Sequence, residues 1–217
     1  MKKFAILASL AGAMIFTANA GNTTKNNTTA TEVATPAKAR AYNVDLAKSE
    51  VKWHAKKVTG EHMGTIGVSN GQLLVNGNKV TGGTFTIDMN SIICTDIKDA
   101  NYNQKLVGHL KSDDFFSVEK HPTATFTITK VKPIANAAAG EPNHTVTGDL
   151  TIKGITKSIS FPATVAVKNG VATAKADITI DRSKFDVRYG SKSFFDNLGD
   201  KAIYDDFVVS LNVTAKQ

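Results

Sequence analysis

The five histidines and the single cysteine are the residues of this 217-residue chain with the chemistry for metal binding or nucleophilic attack. The histidines stand at positions 54, 62, 109, 121 and 144, and no two are four residues apart, the spacing at which a helix presents two imidazoles to one zinc ion. One cysteine cannot form an internal disulfide, and Cys94 follows Ile92 and Ile93 without a sequence cue for an activating partner. We therefore predict no catalytic residue, no metal site, no cofactor and no enzymatic activity.

Charged side chains are concentrated between Asp181 and Asp206, where six acids accompany five bases. An arginine suits a phosphate because its guanidinium makes two parallel hydrogen bonds, so Arg182 and Arg188 are candidates for contact with an anionic head group. His109, close to two further charged residues, is a third candidate. Because the charges nearly balance, salt bridging within a folded loop is the alternative interpretation of this segment, and a structural role in its turn is the alternative for His109.

The segments that must position these residues alternate between apolar and polar side chains, with a period of two residues. Between residues 158 and 167 apolar side chains alternate with smaller or polar ones, and the same alternation recurs around residues 85–89, 124–128, 145–152 and 207–213. This period indicates strands with one buried face. Turn signals separate the runs; they lie at residues 69–71, 76–78, 140–143 and 168–170. The body is predicted to be all-β and antiparallel.

Two segments depart from this period and predict short helices. Within residues 101–111, three apolar residues recur at helical spacing, and residues 193–198 form a second candidate that ends at Gly199. About eight strands with one or two short helices fit either a closed barrel or a sandwich. The periodicity alone does not separate these two folds.

The first 41 residues differ in composition from the rest. Two lysines precede the apolar stretch 4–16, and Ala18-Asn19-Ala20 matches a signal-peptidase site, so residues 1–20 are predicted to be a cleaved secretory signal. Residues 21–41 are rich in Thr, Asn and Ala and are predicted to be a flexible spacer. The folded domain is then 42–217. We expect a periplasmic or secreted protein without an integral membrane segment after signal cleavage.

The formal charge of +7 is not concentrated on this domain. The signal carries +2, the spacer carries another +2, and +3 remains on residues 42–217. No basic stripe with interleaved aromatic residues remains there, so no nucleic-acid partner is predicted.

Five segments resemble the YceI family in their order and spacing: YNVDLAKSEVKWHAKK from Tyr42, GGTFTIDMNSI from Gly82, GHLKSDDFF from Gly108, HPTATFTITKV from His121 and GDLTIKGITKSISF from Gly148. The resemblance implies a lipocalin-like closed antiparallel barrel, exported in bacteria, that binds a polyisoprenoid or another long-chain amphiphilic lipid in an elongated apolar interior. The chain departs from the family after the late arginine. A Phe-Gly pair is usual there, whereas Phe185 is followed here by Asp186 and a longer excursion to Asp206.

Every second residue of a barrel strand faces the interior. The apolar residues that we predict to line a ligand-binding lumen are Trp53, Phe85, Ile87, Phe126, Ile128, Leu150, Phe161, Val165, Ile180, Phe207 and Val209. An alkyl chain that enters such a lumen gains ~0.8 kcal/mol for each buried CH₂ group.

The resulting prediction is a non-enzymatic protein that binds a hydrophobic small molecule or lipid for transport, storage or protection. The alternative is a structural or stress-responsive interaction module with a filled core, which would use residues 186–206 as a binding loop. The sequence leaves a homodimer open in either case.

Overall fold

The computed structural model describes residues 38–217, which form nine antiparallel strands and one α-helix. The strands are β1 (Arg40–Val44), β2 (Glu50–Lys57), β3 (Gly60–Asn76), β4 (Lys79–Cys94), β5 (Thr123–Pro133), β6 (His144–Ile152), β7 (Ile155–Lys168), β8 (Val171–Asp181) and β9 (Ile203–Lys216). Helix α1 (Ala100–Lys111) connects β4 to β5, and short 3-10 helices lie at Leu46–Lys48, Arg182–Phe185 and Gly199–Lys201. The predicted signal and most of the predicted spacer lie outside the described residues. Strand β1 begins two residues before the predicted domain start at Tyr42.

The sheet closes on itself through the pairing of β3 with β4. The strand order is β1-β3-β2-β9-β8-β7-β6-β5-β4, and β1 also pairs with β9. Strands β1 and β2 both lie between β3 and β9 and run in the same direction, so together they occupy one position of the barrel. The barrel therefore has eight strand positions, which confirms the predicted closed antiparallel fold.

The turn predicted at residues 69–71 is wrong, because these residues lie inside β3. The register between β3 and β4 shifts between Val68 and Asn70 and again near Gly67, so the polar residues and glycine mark β-bulges. Bulges and turns favour the same residue types, and the sequence signal does not distinguish them. The other predicted turn segments do connect strands, at 76–78, 140–143 and 168–170.

The two ends of the barrel differ. One end, which we call the loop end, carries the long connections 95–122 and 182–202. The opposite end, the turn end, carries the tight turns after β3 and β7 and the loop between β5 and β6. Because consecutive strands are antiparallel, the β4–β5 connection and the charged β8–β9 connection lie at the same end of the barrel.

Helix α1 matches its prediction, and Asp99 caps it by accepting hydrogen bonds of 3.0 Å from the amides of Asn101 and Tyr102. The second predicted helix, at 193–198, is wrong, because this segment forms turns. Asn197 and Gly199 both have positive φ angles, of 59° and 51°, which interrupts a right-handed helix. Within residues 38–217 no helix is long and apolar enough to cross a membrane.

Candidate functional site

The barrel contains an apolar cavity of about 180 Å³. Every residue that lines it is aliphatic, aromatic or methionine. The ring of Phe126 occupies the space in which a Cβ atom at Gly148 would stand, 2.5 Å from the ring carbon Cζ, so this glycine allows the ring to lie against β6. Phe85, Phe126 and Phe207 point inward and yet are only half-buried, because they face space that side chains do not fill. The interior is therefore not the filled core that the alternative prediction requires.

Ten of the eleven residues predicted to face the lumen line this cavity. They are Phe85, Ile87, Phe126, Ile128, Leu150, Phe161, Val165, Ile180, Phe207 and Val209. The eleventh, Trp53, lies outside the lining. Its indole packs over Gly64 on the neighbouring strand, and its Nε1 donates a hydrogen bond of 3.2 Å to the carbonyl oxygen of Ile93. The structure thus gives Trp53 a role in the barrel wall instead of the lumen.

Several lining residues were missed by the sequence prediction. Ile66 and Val68 lie next to the bulges of β3, where the period of two is broken. Phe116 comes from the irregular segment after α1, which has no period at all. Other missed residues follow the alternation of their strands and could have been found by extending it, among them Val51, Val146, Ile152, Ile178, Leu211 and Val213.

Arg182 does not face a ligand. It is only 4% exposed, and its guanidinium donates hydrogen bonds of 2.9–3.2 Å to four backbone carbonyl oxygens, those of Val187, Tyr189, Ile203 and Tyr204. Its Nη2 also lies 3.4 Å from the carboxylate of Asp205. Burial lowers the pKa of Arg182, and the charge of Asp205 opposes that effect. The predicted head-group role of Arg182 is therefore wrong, because its donors are used to hold the 182–204 segment in place.

Arg188 and His109 come together at the loop end. A groove of about 480 Å³ lies there. Its lining residues are Asp113, Asp114, Lys153, Asp186, Arg188, Tyr189, Gly190, Phe195, Leu198 and Lys201. Arg188 lines it, with Nε bonded to the carboxylate of Asp186 and the guanidinium 5.1 Å from the ring centre of Phe194. This exposed position is compatible with the predicted rim role of Arg188.

The imidazole of His109 lies behind the groove wall. Its ring packs edge to face against Phe115 and Tyr189, with centroid distances of 4.9 and 4.5 Å. Its Nε2 is 2.9 Å from the carboxylate of Asp114. These contacts give His109 the structural role that was the alternative prediction, although it lies near the rim.

Cys94 is buried and its surroundings do not activate it. Its Sγ donates to Asp96 Oδ1 at 3.2 Å, and burial raises the pKa of the thiol, as does the neighbouring carboxylate. Burial opposes ionisation of Asp96 too, but hydrogen bonds from the Met63 amide, His62 and Cys94 hold its pKa at about 2. A nucleophilic cysteine requires a depressed pKa, whereas the pKa of this thiol is raised. Its hydrogen-bond acceptor, Asp96, is too weak a base to take the proton, since the pKa of that carboxyl is about 2.

The prediction against catalysis did not take account of one sequence motif. Residues 67–71 read Gly-Val-Ser-Asn-Gly, the letters of the nucleophile elbow of hydrolases. That elbow is a sharp turn between a strand and a helix, whereas these residues lie within β3. The hydroxyl of Ser69 donates to the carbonyl oxygen of Thr86 at 3.2 Å. The motif is therefore part of a bulged strand and not an elbow.

Together, the eight-position antiparallel barrel, the apolar cavity and the loop-covered end define a lipocalin-like β-barrel protein. The chain belongs to the YceI family, since the YceI-like domain matches residues 42–215. The protein YceI of Escherichia coli is 37% identical in an 89-residue alignment that covers 37% of this chain and 43% of that protein. The chain thus spans less than half the length of the curated relatives it matches.

Two solved structures share the fold. The structure of Burkholderia cenocepacia BcnA has a TM-score of 0.61 and 29% identity, covering 80% of this chain and 99% of that one. A polyisoprenoid binding domain from Saccharophagus degradans has a TM-score of 0.56 and 15% identity, covering 81% and 97%. At 15% identity the second comparison shows the fold alone.

Proposed function

We propose that this chain is an exported, non-enzymatic lipid carrier that holds an isoprenoid-type or other long-chain amphiphile in its barrel. The observation that carries the proposal is the unfilled cavity of about 180 Å³ whose lining is apolar throughout. A polar ligand would lose its hydrogen bonds to water there without replacement, at a cost of several kcal/mol for each group. An alkyl chain would instead gain ~0.8 kcal/mol for each buried CH₂.

The shape of the lining favours an elongated ligand. It extends from Met89 and Phe116 near the loop end to Val131 and Val165 near the turn end. A dry apolar cavity of about 150 Å³ is large enough to bind benzene. A long alkyl chain needs more volume than this cavity offers, so side chains around the lumen must rotate to admit it. The half-buried phenylalanines of the lining, such as Phe85 and Phe207, are in a position to rotate.

Two further observations support the ligand class and the compartment. The Saccharophagus degradans structure of the same fold is described as a polyisoprenoid binding domain. The lysine pair, apolar stretch and Ala-x-Ala ending at residues 2–20 are typical of a signal for export to the periplasm. Export of a lipid-binding barrel would place it where a hydrophobic molecule has to cross water between two membranes.

The decisive experiment is organic extraction and mass spectrometry of the mature protein, purified without detergent from its bacterial host. A long-chain lipid at about one molecule per protein is the expected result. Delipidated protein is then titrated with geranylgeraniol delivered from cyclodextrin, with calorimetry as the readout. Repeated absence of extracted lipid, together with no binding of the added isoprenoid, would contradict the proposal.

A further inference from the structure

Strands β7 and β8 are paired along only part of their length. The ladder between them joins residues 164–168 to residues 171–175. Both strands continue past this ladder toward the loop end, as residues 155–163 and 176–181. On their other sides these two stretches are fully paired, with β6 and with β9. The wall of the barrel therefore has a seam without ladder pairing between 155–163 and 176–181, which we call the β7–β8 seam.

Pro162 stands where this ladder stops. The amide of Val165 donates a hydrogen bond of 2.8 Å to Asn143 Oδ1, on the side of β6. Alternate residues of a strand direct their backbone N–H and C=O groups to opposite sides, so Thr164 and Pro162 face β8. The next hydrogen-bonded pair of the ladder would join Pro162 to Asp177, but a proline has no N–H to donate. The residue at position 162 therefore favours an end of the ladder at this point.

The inner side of the seam is the apolar lumen. Ile159 of β7 lines the cavity, as do Ile178 and Ile180 of β8. On the outer side Ser160 and Thr179 are exposed to solvent. Side chains alone thus separate the lumen from solvent along the seam, without the backbone hydrogen bonds that hold the rest of these two strands to their neighbours.

The connection after β8 closes the seam at the loop end. Its 3-10 helix, Arg182–Phe185, packs against β7 and β9, and the ring of Phe185 is buried in the apolar core. Lys153, in the turn before β7, donates a hydrogen bond of 2.8 Å to the carbonyl oxygen of Asp186. The seam is therefore bounded by the ladder at one end and by these contacts at the other.

We infer that the β7–β8 seam is the part of the barrel wall that opens to admit an alkyl chain sideways into the lumen. The inference rests on the proposed function, since a cavity of about 180 Å³ must enlarge to hold a long chain. Moving two paired strands apart breaks backbone hydrogen bonds. Moving residues 155–163 away from 176–181 breaks no ladder bond, so the barrel yields first at this seam.

The test fixes the seam with a cross-link. In S160C/T179C the two thiols face each other across the seam, and a short rigid bismaleimide joins them. The matched control, T147C/S160C, joins β7 to β6, where the two hydroxyl oxygens already lie 2.9 Å apart. Both proteins also carry C94A, so that only the introduced thiols react. The readout is the rate at which delipidated protein takes up cis-parinaric acid, whose own fluorescence rises in apolar surroundings.

We expect cross-linked S160C/T179C to take up the fatty acid at least about tenfold more slowly, since another route breaks backbone hydrogen bonds, each of which accounts for about fivefold. The cross-linked control should keep the rate of the wild type. Equal rates in the two cross-linked proteins, whether both fast or both slow, would overturn the seam as the entrance while the lipid-carrier proposal stands. If the wild type takes up no fatty acid and no geranylgeraniol, both fail.

Hydrogen exchange tests the seam without a ligand. The amides of Ser160 and Thr179 face each other across the seam and should exchange faster than those of Thr164 and Lys175, which are partners in the ladder. Equal protection of the two pairs would show that the ladder continues past Pro162, and would overturn the inference whatever the result of the uptake assay.

Discussion

The indole nitrogen of Trp53 on β2 donates a hydrogen bond of 3.2 Å to the carbonyl oxygen of Ile93 on β4, reaching over the intervening strand. The strand in between is β3, where Gly64 is the register partner of both Trp53 and Cys94. A Cβ atom on Gly64 would lie 2.7 Å from the indole ring and 1.8 Å from the Ile93 oxygen. One side chain thus ties three strands together next to the point where the barrel closes.

Substitution of Gly64 by alanine should destabilise the barrel strongly. The new methyl group cannot be accommodated unless Trp53 moves off its hydrogen bond or β3 separates from β4, and we expect a loss of about 3 kcal/mol in the free energy of unfolding. Urea denaturation measures this loss. Gly108→Ala is the matched control, since a Cβ there has open space on a helix and should be neutral or stabilising by up to about 1 kcal/mol. Equal stabilities of the two variants would contradict the close packing.

Substitution of Ala163 by tryptophan should block ligand uptake without unfolding the protein. Ala163 is buried and lines the cavity, so the indole would occupy space that the structure leaves empty. We expect loss of geranylgeraniol binding and a change of less than about 1 kcal/mol in the free energy of unfolding, whereas overpacking of a filled core costs about 1–3 kcal/mol. Ala166→Trp, on the outer face of the same strand, should bind normally. A stable Ala163→Trp protein with full affinity would mean that the ligand lies elsewhere.

Removal of the Arg182 guanidinium should release the 182–204 segment. In Arg182→Met four backbone carbonyl oxygens lose their donor and Asp205 loses its ion-pair partner, so we expect a loss of about 3–4 kcal/mol. Hydrogen exchange should show faster opening of this segment. The exposed Arg188 offers the comparison: Arg188→Met should change the free energy of unfolding by less than about 0.5 kcal/mol. Normal protection of residues 182–204 in Arg182→Met would refute this role.

The pH dependence of stability should include a contribution from Asp96. Its pKa is held at about 2 in the folded state, below the ordinary value of 3.8, so the unfolded chain takes up its proton first as the pH falls. The stabilisation is therefore present above about pH 4 and is lost as the pH drops toward 2, and it corresponds to about 2 kcal/mol. Asp96→Asn should be less stable than wild type at pH 7 by about that amount and similar to it at pH 2. Asp200→Asn, at an exposed site, should parallel wild type throughout. Denaturation series at several pH values would detect the difference.

Cys94 should react slowly while the protein is folded. Burial shields the sulfur and raises the pKa of its thiol, so the thiolate fraction at pH 8 is small. Alkylation by iodoacetamide, followed by mass spectrometry, should be at least about tenfold slower in buffer than in guanidinium chloride. Equal rates in the two solvents would show that the thiol is accessible in the native state.

The barrel and most of its lining could be predicted from the sequence because alternation reports which side of a strand is buried. Phe85, Phe126 and Phe207 stand in clear alternating runs, and each was correctly placed on the inner face. The same reasoning failed at Ser69, where polar residues and a glycine mark a bulge inside β3. It also failed at Trp53. This residue stands at an inward-facing position of the alternation, but its indole reaches along the barrel wall to β4.

The rim could not be predicted in the same way. Arg182 and Arg188 look equivalent as charges in one segment, yet one is buried among backbone carbonyl groups and the other is exposed. Lys153 and Lys201 are 48 positions apart in the sequence and line the same groove. No local pattern encodes that proximity, because it arises from which strand ends meet at the loop end.

The sequence by itself determined the all-β class, the inward face of most strands and the family, since these depend on residue type and local period. Only the tertiary structure decided that the lumen is partly empty, that Arg182 is a structural residue and that Lys153, Arg188 and Lys201 converge. The physical reason is that alternation records burial but neither the volume left between opposite walls nor the partner of a charge. Both depend on contacts between residues far apart in the chain, which exist only once β3 has paired with β4 and the barrel has closed.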